Sequence, residues 1–125
     1  MLSTIHSVSI NGLQATRVLI EVNLEKLNAQ RDPFFVMVGL PDNAVKESRT
    51  RVRTALQNSG YHIRDRYDVA VNFAPADVKK EGSGFDLPLA IGQLCAAADE
   101  KPAFKAVAKE IGRYVFLGEL GLNGE

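Results

Sequence analysis

The feature that most constrains this chain is a change of hydrophobic period, from two residues to helical spacing and back. Between Arg17 and Leu24 the residues alternate: Val18, Ile20, Val22 and Leu24 share one side, and Arg17, Glu21 and Asn23 the other. Phe34-Phe35-Val36-Met37-Val38 is an unbroken apolar run closed by Gly39. It is too short for an ordinary helix and rich in strand formers, which predicts a buried central strand. Val45, Ser48, Val52, Ala55, Leu56 and Ser59 then follow with helical spacing, with Asp42 placed to cap the first turn and Gly60 to close the last. Asp68 to Phe73 alternates again, with Val69, Val71 and Phe73 on one face. A strand, a helix of about 17 residues and a second strand predict a βαβ crossover, right-handed if the strands are parallel.

The flanks extend this frame. Thr4 to Ile10 alternates in part and runs into Asn11-Gly12, so residues 4–24 predict a β-hairpin. Residues 25–33 form a polar loop ending in Asp32-Pro33. Ala74 to Gly84 is a second polar loop. A helix follows from Ser83 to Asp86 onward, with Pro88 in its first turn and Leu87, Ala90, Ile91, Leu94 and Cys95 as its apolar stripe. Asp99 to Gly112 is lysine-rich and predicts a short amphipathic helix, and Tyr114 to Leu122 a last strand. Asn123-Gly124 is a hairpin signal with no return strand after it, so the expectation is a piece of a longer polypeptide. The predicted class is α/β (α+β): a hairpin, a βαβ unit, a second helix and a last strand.

Length and composition exclude several classes. The 125 residues suit one domain; 46% are hydrophobic and 24% charged, as in ordinary soluble domains. Fifteen basic and fifteen acidic residues cancel, so net charge does not mark a polyanion binder. The single cysteine, Cys95, excludes an internal disulfide and a cysteine-based zinc site, and its apolar neighbours predict a buried thiol. No stretch approaches the roughly 18 apolar residues of a membrane span. The expected setting is a reducing, cytoplasmic one without membrane contact.

Chemical motifs are few. There is no Gly-Lys-Ser or Gly-Lys-Thr, so a Walker-type phosphate loop is absent from the sequence. His6 and His62 are far apart and form no metal-ligand spacing. Lys79-Lys80-Glu81-Gly82-Ser83-Gly84-Phe85-Asp86 is the most distinctive string. A serine between glycines at a helix start can serve as a nucleophile beside a lysine base. The plainer reading makes Gly82 and Gly84 the turn, Ser83 or Asp86 the helix cap, and the lysines solvated. Lys46, Arg49 and Arg53 stand at i, i+3 and i+7 on one helical face, and residues 46–66 hold six basic residues against two acidic ones. That face suits nucleic-acid phosphates or an acidic partner surface; the plainer reading is a solvated helix face. Glu47 and Arg51 make a favourable i,i+4 pair.

Three strings together carry a resemblance. They are Val38-Gly39-Leu40-Pro41-Asp42 with Ala44-Val45-Lys46-Glu47-Ser48-Arg49 and Arg51-Val52-Arg53; Val71-Asn72-Phe73-Ala74-Pro75-Ala76-Asp77 through Lys80-Glu81-Gly82 and Phe85-Asp86-Leu87-Pro88-Leu89-Ala90; and Phe116-Leu117-Gly118-Glu119-Leu120. In this order they closely resemble the ChlI-type N-terminal domain of the magnesium-chelatase-related AAA+ ATPases of the ComM/YifB type, over nearly the whole chain. The resemblance implies the Lon-protease-like fold shared with the second domain of small-subunit ribosomal protein five. It implies that residues 1–125 are one such domain and that an ATPase module, using ATP and magnesium, follows Glu125. It also implies a hexameric DNA motor for branch migration in competence and recombination, and does not imply insertion of magnesium into porphyrins.

The Lon likeness bears on the serine. Active Lon-type domains carry the nucleophile in a Lys-Asp-Gly-Pro-Ser-Ala-Gly string. Laid on Lys80-Glu81-Gly82, the nucleophile position falls on Gly84 and the proline position on Ser83. The position of the base lysine lies past Glu125. The resemblance therefore implies a non-catalytic domain with no cofactor of its own, serving DNA guidance or subunit assembly. Lys46, Arg49, Arg53, Lys79 and Lys80 are the candidate contacts, and Gly82, Ser83, Gly84 and Asp86 a structural cap loop. The alternatives are a Ser-Lys peptidase-like domain and a pure assembly or adaptor module.

Overall fold

The alternating N-terminal residues become two long paired strands in the computed structural model, which describes residues 1–28, 30–98 and 102–125. Strands β1 (Leu2–Asn11) and β2 (Gln14–Lys26) pair antiparallel from Leu2↔Asn23 to Asn11↔Gln14. The expected hairpin is present, but its loop is Gly12-Leu13, because Asn11 is already paired. β3 (Phe35–Val38), α1 (Asn43–Asn58) and β4 (Tyr67–Ala74) form the crossover, with β3 parallel to β4 and β4 antiparallel to β2. The four strands lie in the order β1-β2-β4-β3, and the class is mixed α+β.

One face of the sheet holds the core. Ile5, Val18, Ile20, Val22, Leu24, Val69, Val71 and Phe73 are almost completely buried. Each such side chain contributes about 2 kcal/mol through removal of apolar surface from water. The other face is polar and half-exposed; there Asn72 donates to Glu21 at 2.9 Å.

The helix of the crossover follows the expected pattern. The Asp42 carboxylate accepts from the Val45 amide at 2.8 Å and caps α1. Val45, Ser48, Val52, Ala55 and Leu56 are buried, while Ser59 is exposed just past the helix end. β3, however, is an edge strand and not a central one. It pairs only with β4, and Val36 and Val38 are exposed although Phe35 is buried. An apolar run predicts a strand; its place in the sheet depends on which later strand pairs with it.

α2 (Asp86–Ala96) lies across β1 and β2 and packs on α1. Its buried side includes Leu89, Gly92, Gln93 and Ala96, whereas Leu87, Ile91 and Leu94 of the expected stripe are half-buried. The phase differs because the sheet is met at a glycine. A Cβ on Gly92 would lie 2.6 Å from the Val22 side chain, and Ser3 Oγ donates to the Gly92 carbonyl at 2.6 Å. Gly92 therefore marks the line of closest helix-sheet approach. Cys95 is a buried free thiol, and burial pushes its pKa up.

The expected lysine-rich helix is α3 (Lys105–Glu110), flanked by 3-10 turns at Pro102–Phe104 and Ile111–Arg113. Its expected beginning, residues 99–101, lies outside the described residues. The expected last strand is not formed. Val115 makes one parallel bridge to His6, with the Phe116 amide donating to the His6 carbonyl at 2.9 Å. The chain is then drawn off the sheet edge: the Gly118 amide donates to the Gly84 carbonyl at 2.8 Å, and the Leu87 amide to the Gly118 carbonyl at 3.0 Å. Asn123-Gly124 does lie in a tight turn, closed by the Gly124 amide on the Gly121 carbonyl at 3.0 Å.

The expected helix cap at Ser83 or Asp86 is replaced by a buried ion pair. Phe85 precedes the helix without a side-chain cap, and Ser83 Oγ donates instead to Glu119 Oε2 at 2.6 Å. The Asp86 carboxylate, fully buried, accepts from Arg51 Nε at 2.8 Å, Arg51 Nη2 at 3.1 Å and the Leu120 amide at 3.1 Å. The expected Glu47–Arg51 contact exists at 3.5 Å but is subsidiary. Arg51→Ala would leave that carboxylate buried without its counter-charge and is expected to cost about 3 kcal/mol or more. Urea denaturation checks this; a loss under about 1 kcal/mol would contradict the role given to the pair.

Candidate functional site

The basic flank of α1 is presented to solvent. Lys46, Arg49 and Arg53 are all exposed, on a rise of about 10 Å along the axis. Arg53 Nη2 pairs with Asp65 Oδ1 at 3.1 Å, and His62 Nδ1 lies 3.7 Å from Asp65 Oδ2. Lys46 and Arg49 form no ion pair among the described residues.

A residue outside the helix completes this flank. Arg64, from the loop between α1 and β4, stacks its guanidinium 4.6 Å from the centre of the Phe35 ring. It lines a groove of about 450 Å³ with Arg49, Thr50, Arg53, Thr54 and Gln57. Burial lowers the Arg64 pKa, and the neighbouring Arg53 and Arg49 lower it further, against an opposing pull from Asp65. In the sequence Arg64 is legible only as one more charge. The loop that folds it back on the helix carries no motif.

The remaining basic residues diverge. Arg51, between the two outward arginines, turns inward to Asp86. Its hydrogen bonds to Asp86 hold its pKa above the ordinary value despite burial. Lys79 is exposed and lies 3.8 Å from Glu81. Lys80 corrects the expectation of a phosphate contact, because it is fully buried. Its Nζ donates to the Gly39 carbonyl at 2.8 Å and to the Pro75 carbonyl. Its backbone bridges Pro41, with the Lys80 amide on the Leu40 carbonyl and the Asp42 amide on the Lys80 carbonyl, both at 3.0 Å. Lys80 is a clamp between the loop entering α1 and the loop leaving β4.

The clamped turn is tight. Gly39 has φ +103° and Leu40 φ +59°. A Cβ on Gly39 would sit 2.1 Å from the Phe73 carbonyl oxygen, so no side chain fits there.

This arrangement tests the glycine loop for two chemistries. Ser83 donates to a carboxylate, Glu119, while Lys80 is committed to two carbonyls, so a Ser83–Lys80 dyad is not assembled. A nucleotide cradle does not fit either. The Gly82 amide faces Asp42 Oδ2 at 3.3 Å, which opposes an anion, and the buried lysine cannot reach one. Among the described residues no group of three or more His, Cys, Asp or Glu side chains could hold a metal ion, and no helix is long and apolar enough to cross a membrane.

Burial holds the Lys80 ammonium below the ordinary lysine range, with Asp77 opposing. The native state therefore binds fewer protons there than the unfolded chain, and stability rises as pH climbs from the native pKa toward about 10.4. Lys80→Met lacks this dependence and leaves two carbonyls without their donor, for about 1–3 kcal/mol. Urea midpoints at stepped alkaline pH should show wild type gaining stability relative to the variant; parallel curves would refute the buried-charge assignment.

Residues 20–125 match the family described as "Subunit ChlI of Mg-chelatase". The chain is 41% identical over 124 residues to competence protein ComM of Haemophilus influenzae, covering 99% of this chain and 22% of the relative. It is 39% identical over 123 residues to the uncharacterized protein YifB of Escherichia coli K12, covering 98% of this chain and 22% of the relative. An uncharacterized protein of Mycobacterium bovis is 35% identical over 118 residues, covering 94% of this chain and 21% of the relative. The chain thus spans about a fifth of the length of these curated relatives.

Proposed function

The chain belongs to the magnesium-chelatase ChlI-subunit family, and on that premise we propose that it is a non-catalytic accessory domain, 1–125, of a ComM-type AAA+ ATPase that remodels DNA. In this reading the fold is the Lon-protease-like one and the setting cytoplasmic. ATP and magnesium act in another part of a longer polypeptide that assembles as a ring. The domain guides DNA through the outer flank of α1, with Lys46, Arg49, Arg53 and Lys79 on phosphates and Lys80 left out because it is buried.

One observation carries the reading. A chain of zero net charge concentrates Lys46, Arg49, Arg53 and Arg64 on one flank, where among the described residues Arg53 is paired with Asp65. Such local surplus positive charge suits a polyanion, and each neutralised phosphate steepens the salt dependence by about 0.9 in the log-log slope. A second reading, subunit assembly, draws support from the exposed apolar residues Val36, Val38 and Leu40 at the β3 edge.

Charge reversal separates the two. K46E/R49E/R53E is expected to weaken binding of a labelled double-stranded DNA by more than about tenfold near 0.1 M salt and to flatten the salt slope by about 2.7. Fluorescence anisotropy measures both. Unchanged affinity and slope would defeat DNA guidance by this flank. If instead the triple variant changes sedimentation of the assembled protein while DNA affinity holds, assembly is the function of the flank.

A further inference from the structure

The groove between α1 and the Arg64 loop has the composition of a seat for a single anionic group. Three guanidinium groups from two separate elements converge on it. Arg49 makes no ion pair, Arg53 makes one with Asp65, and Arg64 makes none among the described residues. The Nε of Arg64 is buried and has no hydrogen-bond acceptor in the protein. Water does not reach that atom, so a ligand in the groove meets the other donors of the guanidinium. Gathering like charges costs stability, and the fold accepts that cost at a place where Phe35 fixes the orientation of one guanidinium. Thr50, Thr54 and Gln57 add neutral polar groups to the same wall.

We infer that Arg49, Arg53 and Arg64 form an oxyanion site that seats one tetrahedral phosphate group, supplied by a nucleic-acid backbone. This deepens the DNA-guidance reading and rests on it for the source of the phosphate. It adds a residue that the helix spacing does not contain and turns a diffuse basic face into a fixed register point. Arg64 is the anchored member, held over the Phe35 ring, while Arg49 and Arg53 approach from the helix. Planar guanidinium groups recognise phosphate through paired N–H donors, which a lysine in the same place does not reproduce. Asp65, paired with Arg53, works against the anion and offsets part of the charge of the three arginines.

The test uses the 125-residue chain, labelled with nitrogen-15, and two probes. Inorganic phosphate is titrated at constant ionic strength against chloride, following the arginine Nε–H signals. A fluorescein-labelled single-stranded DNA is followed by anisotropy. Arg64→Gln and Arg49→Gln are compared with Arg17→Gln, an exposed arginine on β2, and Arg64→Lys tests whether charge alone suffices. Thermal melts show that each variant is folded. The expected result is a saturable phosphate response centred on Arg64, weakened about tenfold by Arg64→Gln, not restored by Arg64→Lys and untouched by Arg17→Gln. DNA affinity should fall in the same order, with a salt slope about 0.9 shallower in Arg64→Gln. Saturable phosphate binding with DNA affinity indifferent to Arg64 would support the oxyanion site, assign it to a free phosphate and remove DNA as its source. No saturable response, together with equal DNA binding by wild type and Arg64→Gln, would overturn the site; DNA guidance would survive if K46E/R49E/R53E still lost affinity. Stronger competition by polyglutamate than by phosphate would overturn it in favour of an acidic protein partner.

Discussion

The Arg51–Asp86 pair is the contact on which the arrangement of this molecule turns. Asp86 stands at the first turn of α2, Arg51 at the middle of α1, and the third partner is the Leu120 amide near the end of the chain. Three segments separated by 35 and 34 residues are thus fixed by one carboxylate with no exposed surface. Charge buried so completely is tolerated only when its hydrogen bonds are filled, and here three donors fill them. Arg51 is itself steadied by the Ala44 carbonyl and Ser48 Oγ, each at 3.2 Å. The pair ties α1 to α2 and to the segment at Leu120.

That geometry divides the arginines of one helix between two tasks. At about 100° per residue, Arg49 and Arg53 lie within about 40° of each other, and Arg51 points to the far side. The inward residue joins the helices; the outward ones line a groove with Arg64, whose guanidinium rests on the Phe35 ring. Alternation that would read as a strand in another context is, in this helix, a way of serving the core and the surface from adjacent positions.

The same physics explains what the sequence revealed. The hairpin, α1 and β4 were legible because their periods are local and one face of each is buried. Val18, Ile20, Val22 and Leu24, then Val45, Val52 and Leu56, read correctly without knowledge of their partners. The place of β3 was not legible, since only distant pairing makes Phe35 inner and Val36 outer. The phase of α2 was obscured because it is apolar on nearly every side and its tightest contact is made by a glycine with no side chain. Residues 114–122 had strand composition, yet Gly84, Asp86 and Leu87 compete for their backbone and win. Among the candidate contacts, Lys46, Arg49 and Arg53 were readable from helical spacing. Lys80 was not, because burial of a lysine on two carbonyls leaves no trace in spacing, and Arg64 depends on how one loop returns to a helix.

The stitch between β1 and the segment near Phe116 has a consequence for synthesis. Ser7 Oγ donates to the Phe116 carbonyl at 2.7 Å across 109 residues of chain, beside the His6 contact. As the polypeptide leaves the ribosome, β1 and β2 can close on each other almost at once. The outer rim of β1 must then wait for nearly the whole remaining length before its neighbour emerges. For that interval the nascent chain carries an open strand edge with exposed pairing groups, the condition under which two nascent copies can join edge to edge. The late arrival of Val115 and Phe116 then covers that rim at His6 and Ser7.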